Sequence, residues 1–225
     1  MPYFYLDIET IPASDQEIIN RIAANVTPPA SMKKADTIAA WEAEKKPEAI
    51  AEAVSKTGLN GAYGQVAFIG FAMDDADPVC FSWPLSHLNE SDLLASFSER
   101  ISALVGNRYP TVVGHNVASF DLRFLWQRAM VLGVRLPAWL PRDPKPWGDD
   151  VFDTMTKWAG ARDYIKMDEL CFVLGIDGKG DIDGPMIADL FAKHEYQKIA
   201  DYCISDVEKT RQIHRRMQIA FGEAA

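Results

Sequence analysis

The sequence predicts an α/β domain with a block of helices inserted after its first strand, and three observations carry this. "PYFYLDIETIP", "GQVAFIGFAMDD" and "DPVCFSWPL" are aromatic and β-branched runs, the last two joined by an Asp-rich turn, as in an antiparallel meander. Beyond them, the short apolar strand "TVVGHN" and the run "DVFDTM" alternate with amphipathic segments at helical spacing. Between the first strand and the meander lies an Ala- and Glu-rich stretch, residues 14–61, with helical rather than alternating periodicity.

Each element has a local reason. In "SDQEIINRIAANV", Ser14 and Glu17 have the spacing of a capping box, so a helix is expected to start there and to break at Thr27-Pro28-Pro29. "KKADTIAAWEAEKKPEAIAEAVSKTGLNG" reads as one or two further helices stopped at Gly58 or Gly61. "NESDLLASFSERISALVG" and "SFDLRFLWQRAMVLGV" read as helices, the second starting close to Ser119. "DVFDTMTKWAG" reads as a short strand and a turn, and "KMDELCFVLGI" as a helix. "YQKIADYCISDVEKTRQIHRRMQIAF" reads as one long C-terminal helix. At 225 residues, one domain over residues 1–225 is expected, with 14–61 as its helical insertion.

Composition is that of a globular protein. No basic, apolar leader opens the chain and no apolar run reaches bilayer length, so a cytoplasmic protein without membrane contact is expected. Cys80, Cys171 and Cys203 are widely spaced, against a disulfide framework or zinc site. The formal charge of −9 argues against a polyanion partner, but it is uneven. From Arg108 to Lys166, six Arg and three Lys face six Asp, a net of +3. Trp126, Trp139, Trp147 and Trp158 lie in that basic stretch. Core or interface packing is the preferred reading of each over base stacking, and Arg142, Lys145 and Arg162 remain as a candidate backbone-binding rim.

The chemistry-bearing residues are acids in unusual places. Asp7 and Glu9 are two apart, hence on one strand face, where they repel unless a cation lies between them. Taken alone, the pair also fits exposed acids beside a turn. Asp121 opens a helix, where the macrodipole favours an acid. Tyr202 and Asp206, four apart, share a helical face. Other signals fail on spacing: Gly178-Lys179-Gly180 lacks the spacer and Ser/Thr of a phosphate loop, Asp177, Asp181 and Asp183 miss the calcium-loop register, and the four histidines show no zinc spacing. Asp153 is read as a loop-capping acid in preference to an outer partner of the acidic cluster.

Together the acids carry a resemblance. "LDIET", "NVASFD" and "YCISD" resemble, in order, the Asp-x-Glu, Asn-x-x-x-Phe-Asp and Tyr-x-x-x-Asp motifs of the DnaQ-like DEDD exonucleases. Tyr202, where another branch has His, resembles the DEDDy branch. "DIETIP" with "KMDELCFVLGIDGKGDIDG" is similar to the stand-alone relatives of the exonuclease domain of family B DNA polymerases. The likeness runs from Tyr3 to Arg211, and the insertion matches only in general character.

The resemblance implies an RNase H-like mixed five-stranded sheet of order 3-2-1-4-5 flanked by helices. It implies a 3'-5' exonuclease that hydrolyses phosphodiester bonds at single-stranded or frayed DNA 3' ends with two divalent cations, Mg²⁺ or Mn²⁺. Asp7 would bridge the ions, Glu9 and Asp206 would complete one site, Asp121 would serve the other directly or through water, and Tyr202 would orient the attacking water. Thr10 and Ile11 would receive the terminal nucleotide, with His115, Asn116 and Phe120 lining the same cleft. An RNA 3' exonuclease and a non-catalytic nucleic-acid-binding module are the competing readings.

Overall fold

The computed structural model describes residues 2–145, 148–160, 162–177 and 180–223. Trp147 and the Gly178-Lys179 step lie outside them. A five-stranded sheet of order β3-β2-β1-β4-β5 forms the centre, built from β1 (Tyr3–Ile11), β2 (Gln65–Met73), β3 (Val79–Ser82), β4 (Thr111–Gly114) and β5 (Val151–Asp153). β1, β2 and β3 are antiparallel neighbours, and β4 and β5 add on parallel to β1. This is the mixed order expected from the sequence.

The stretch between β1 and β2, expected as an insertion, holds α1 (Gln16–Asn25), α2 (Ala35–Glu44) and α3 (Lys46–Ser55), ending in a 3-10 turn, Lys56–Leu59. α1 is capped by Asp15 and not by Ser14: the Asp15 carboxylate accepts from the Glu17 and Ile18 N–H groups, while the Ser14 hydroxyl is spent on Gln65. Both side chains can cap. The bond to Gln65 fixes which one does.

The short α4 (Trp83–Ser86) follows β3, and α5 (Glu90–Val105) is capped by Asn89. α6 (Asp121–Leu132) starts two residues later than the Ser119 expectation and stops at the left-handed Gly133. Where a turn was expected after β5, α7 (Thr154–Ala159) forms instead, because the Asp153 carboxylate accepts from the Met155 and Thr156 N–H groups. α8 (Met167–Leu174), α9 (Ile187–Ala192) and the long α10 (Tyr196–Phe221) complete the chain. Among the described residues no helix is long and apolar enough to cross a membrane.

β1 sorts its side chains by period two. Phe4, Leu6 and Ile8 enter the core under α5 and α6, with Ile69, Phe71, Phe97, Leu122 and Leu125. Tyr5 enters the core on the other face, where α8 and α10 pack. Asp7 and Glu9 follow Tyr5 on the α10 face. The acids therefore sit between the sheet and the last helix.

Candidate active site

Gly70, paired with Asp7 across β1 and β2, decides how closely α10 approaches. A Cβ there would lie 2.8 Å from Cys203 Sγ and 3.1 Å from the Cys203 carbonyl oxygen. Only the bare glycine admits the helix, and with it Tyr202 and Asp206 reach the acids of β1. A β-bulge between Glu9 and Thr10 then re-aims the end of the strand.

Asp121 arrives from the opposite side. β4 pairs with β1 only at Tyr3, Phe4 and Tyr5, so further along β1 the edge facing β4 is unpaired. Asp121 Oδ1 accepts the Ile8 N–H at 3.0 Å, satisfying that edge and fixing the carboxylate beside Asp7. Gly114 permits the tight departure from β4, since a Cβ there would fall 2.4 Å from Val117 Cβ.

Four carboxylates are thus drawn into one electrostatic neighbourhood. Burial, then Glu9, Asp121 and Asp206, hold Asp7 well above the usual carboxylate range. Burial, then Asp206 and Asp121, do the same to Glu9. Asp121 is pushed up to about 7 by burial, against the opposing pull of its own and the Ile8 backbone N–H groups. Asp206 is raised by burial, with partial relief from Lys209, whose Nζ lies 2.8 Å from Oδ1, and from Tyr202. Tyr202 is itself raised by burial, then by Asp206 and Glu9, so the phenol keeps its proton.

Such a cluster fits a divalent cation. Asp7 Oδ2 is buried with no hydrogen-bond partner, an expensive state for a carboxylate oxygen. Ligand atoms of Asp7, Glu9 and Cys203 all lie within 4.8 Å of one another. Carboxylate oxygen is the donor that Mg²⁺ and Mn²⁺ prefer. Burial raises the Cys203 thiol, which points to the Asp7 carbonyl oxygen at 3.7 Å, so the sulfur is a packing group rather than a ligand.

A cavity of about 410 Å³ opens next to Glu9. Thr10 and Phe120 line it, as do Lys56, Gly58 and Leu59 from the end of the insertion and Pro185 ahead of α9. The Thr10 hydroxyl donates to the Gly58 carbonyl at 2.6 Å and ties the insertion to the cavity rim. Ile11 does not line it; the side chain packs into the core with Ala67, Ile187 and Ile199. His115 spends both ring nitrogens, on Thr154 Oγ1 and the Ile165 carbonyl, each at 2.9 Å, and burial lowers its pKa. Asn116 is in the left-handed region, φ 63°, its N–H donating to Asp153. Asp153 also accepts from the Ala118 N–H and holds the loop before Asp121.

Sequence reasoning missed Gly70, Lys209 and the share of Gly58, Leu59 and Pro185 in the cavity. A glycine inside the strand "FIGFAM" was the available signal for the first. Of the tryptophans, Trp139 packs edge-on against Phe4 with ring centroids 5.3 Å apart, and Trp126 donates to the Pro141 carbonyl.

Residues 61–224, well over half of the chain, match a family described as a predicted 3'-5' exonuclease related to the exonuclease domain of PolB. The chain belongs to that family. The matched stretch contains Asp121, Tyr202 and Asp206, while Asp7 and Glu9 precede it. No curated protein matches the chain.

Among solved structures, the family B DNA polymerase of the hyperthermophilic archaeon Pyrobaculum calidifontis aligns with 98% of this chain at 14% identity and a TM-score of 0.60. The chain spans 25% of that polymerase. Escherichia coli exonuclease I, solved with an oligonucleotide, aligns with 89% of this chain and 42% of its own length at 14% identity and a TM-score of 0.37. At these identities the likeness concerns the fold, which is the RNase H-like one expected, and the polymerase carries it.

Proposed function

We propose that this chain, acting as one domain with residues 14–61 as an insertion, removes nucleotides from single-stranded or frayed DNA 3' ends. The centre would be two Mg²⁺ or Mn²⁺ ions held by Asp7, Glu9, Asp121 and Asp206. The observation that carries the reading is the buried, unpartnered oxygen of Asp7 amid three further acids whose pKa values are all raised. Cations of this class, when bound, stabilise charge on a phosphodiester and make water a better nucleophile.

The chain's own residues do the rest. Asp7 faces both Glu9 on its strand and Asp121 across the strand edge, which suits it to a shared ligand role. Tyr202, kept protonated, serves as a donor that orients water beside Asp206 and not as a general base. The apolar cavity of Thr10, Leu59 and Phe120 suits the terminal nucleoside, and a nucleoside there, next to Glu9, would bring the last phosphodiester to the acids.

Gel-resolved digestion of 5'-labelled and 3'-labelled single-stranded DNA tests this, with Mg²⁺, Mn²⁺ or EDTA and with Asp206→Ala beside the wild type. The expected result is a metal-dependent 5'-labelled ladder that disappears in the variant. A matched RNA strand degraded faster than DNA would reassign the substrate. Degradation of neither would leave a non-catalytic binding module.

A further inference from the structure

Three consecutive residues touch three different environments. Asp121 belongs to the acids, Phe120 lines the apolar cavity beside Glu9, and Ser119 lines a separate pocket of about 180 Å³. That third pocket is basic: Arg123, Arg142, Lys145 and Lys157 converge on it, with Ala118, Asp153 and Thr156 also lining it. In a chain of formal charge −9 this is a marked local reversal.

The four cations are exposed, but two of them rest on aromatic faces. Arg142 lies over the Trp126 ring at 4.9 Å, and that indole is itself fixed by its bond to the Pro141 carbonyl. Lys157 lies over the Phe152 ring at 5.3 Å. Of the two acids present, Asp143 pairs with Lys145, and Asp153 is spent on the N–H groups of Asn116, Ala118, Met155 and Thr156. Among the described residues Arg123, Arg142 and Lys157 form no ion pair. Three basic side chains outside any ion pair, converging on a small concave site, suit a phosphate group.

We propose that this pocket is a phosphate subsite that grips the backbone of the substrate strand upstream of its terminal nucleotide. The inference rests on the nuclease reading for the identity of the strand. Its placement comes from the loop: Ser119 and Asp121 are two residues apart, so their Cα atoms are within about 7 Å. The pocket is therefore within reach of the next phosphates of a strand whose last phosphodiester lies at the acids. Because the subsite contacts backbone alone, it adds affinity and salt dependence but no base preference.

The double variant Arg123→Gln/Lys157→Gln tests this, with Arg142→Gln as a second variant and unfolding midpoints as the check on folding. Binding of a fluorescein-labelled single-stranded oligonucleotide in EDTA is expected to weaken about tenfold. The slope of log affinity against log salt is expected to flatten by about one for each lost contact. Cleavage of the p-nitrophenyl ester of thymidine 5'-monophosphate with Mn²⁺, which engages no upstream phosphate, is expected to persist. Wild-type oligonucleotide binding in both variants, or an equal loss on oligonucleotide and ester, would overturn the subsite. Thymidine monophosphate bound by the wild type but not by the variants, with oligonucleotide binding unchanged, would overturn it in favour of a free nucleotide. Binding that depends on these cations in a protein that hydrolyses neither substrate supports the subsite and removes the nuclease reading.

Discussion

The wall formed by β1 and α10 and the helical segment between Ser14 and Gly61 meet at the cavity beside Glu9, yet they are built in opposite ways. α10 buries residues along most of its length, from Ile199 to Met217, while α1, α2 and α3 bury none. Packing therefore sets the position of Tyr202 and Asp206 to within what a close-packed interior allows. The insertion depends on a few polar ties: the Ala13 N–H to Thr57 Oγ1, Thr10 Oγ1 to the Gly58 carbonyl, and Arg128 to the Gly61 carbonyl. The acids are thus held by a deeply buried helix and the cavity's outer lip mainly by polar ties, so local opening is expected to begin at the lip.

The largest effect should come from cutting the one tie that runs into the core. Arg128 meets Glu90 through two bonds of 2.8 and 2.7 Å, both side chains buried, and Glu90 also accepts the Val66 N–H that opens β2. Arg128→Met strands a buried carboxylate and is expected to cost about 3–5 kcal/mol in urea unfolding. The double variant Arg128→Met/Glu90→Gln should recover much of that loss, because it removes the uncompensated charge. A loss confined to the insertion, with the global midpoint unchanged, would show that the tie belongs to the lip and not to the core.

A smaller effect separates the two regions by pH. His214 on α10 is buried among Tyr3, Tyr5 and Phe152, its Nδ1 2.9 Å from the Tyr5 hydroxyl and its Nε2 without a partner. Burial, then Arg215, lower its pKa to about 4 from an ordinary 6.5. The folded wall thus binds fewer protons than the unfolded chain between those values. The contribution of neutral His214 to stability is full above about pH 6.5, is lost as pH falls, and stops falling near pH 4. Comparing wild type with His214→Phe at pH 7.5 and 5 cancels the carboxylates common to both. The wild type should lose about 2 kcal/mol more than the variant. Parallel curves would mean that the imidazole takes up its proton without disturbing the wall.

The same contrast explains what the sequence made legible. The strands, the long last helix and the same-face pairs Asp7/Glu9 and Tyr202/Asp206 follow from period-two and four-residue spacing, while the sheet order and the grouping of the acids came from the family resemblance. α4 and α9 escaped because they are too short to show a period; they exist through contacts made elsewhere, the Trp83 indole on the Val66 carbonyl and Ile187 and Leu190 in the core. Asp15 and Ser14 are equivalent caps until Gln65 is in place. Gly70 carries no signal of its partner in the sequence; the Cys203 sulfur and backbone lying against it show why a side chain is excluded.

The smallest effect belongs to the lip itself. Thr57 Oγ1 accepts from the Ala13 N–H at 2.8 Å and donates to the Val54 carbonyl at 2.6 Å, joining the entry of the insertion to its exit. Thr57→Val keeps the shape and removes both bonds, so about 1 kcal/mol of local stability should disappear. Because α1, α2 and α3 contribute no buried side chain, that loss should stay local: limited proteolysis between Val26 and Lys34 should accelerate several-fold while the urea midpoint of the whole chain hardly moves. The cavity that Leu59 and Gly58 share with Glu9 would then lose its fixed edge, and, on the proposed function, any discrimination against duplex ends should relax before cleavage of single strands does. A midpoint that falls together with the proteolysis result would mean that the insertion unfolds with the wall, and the contrast between the two regions would be one of burial without being one of stability.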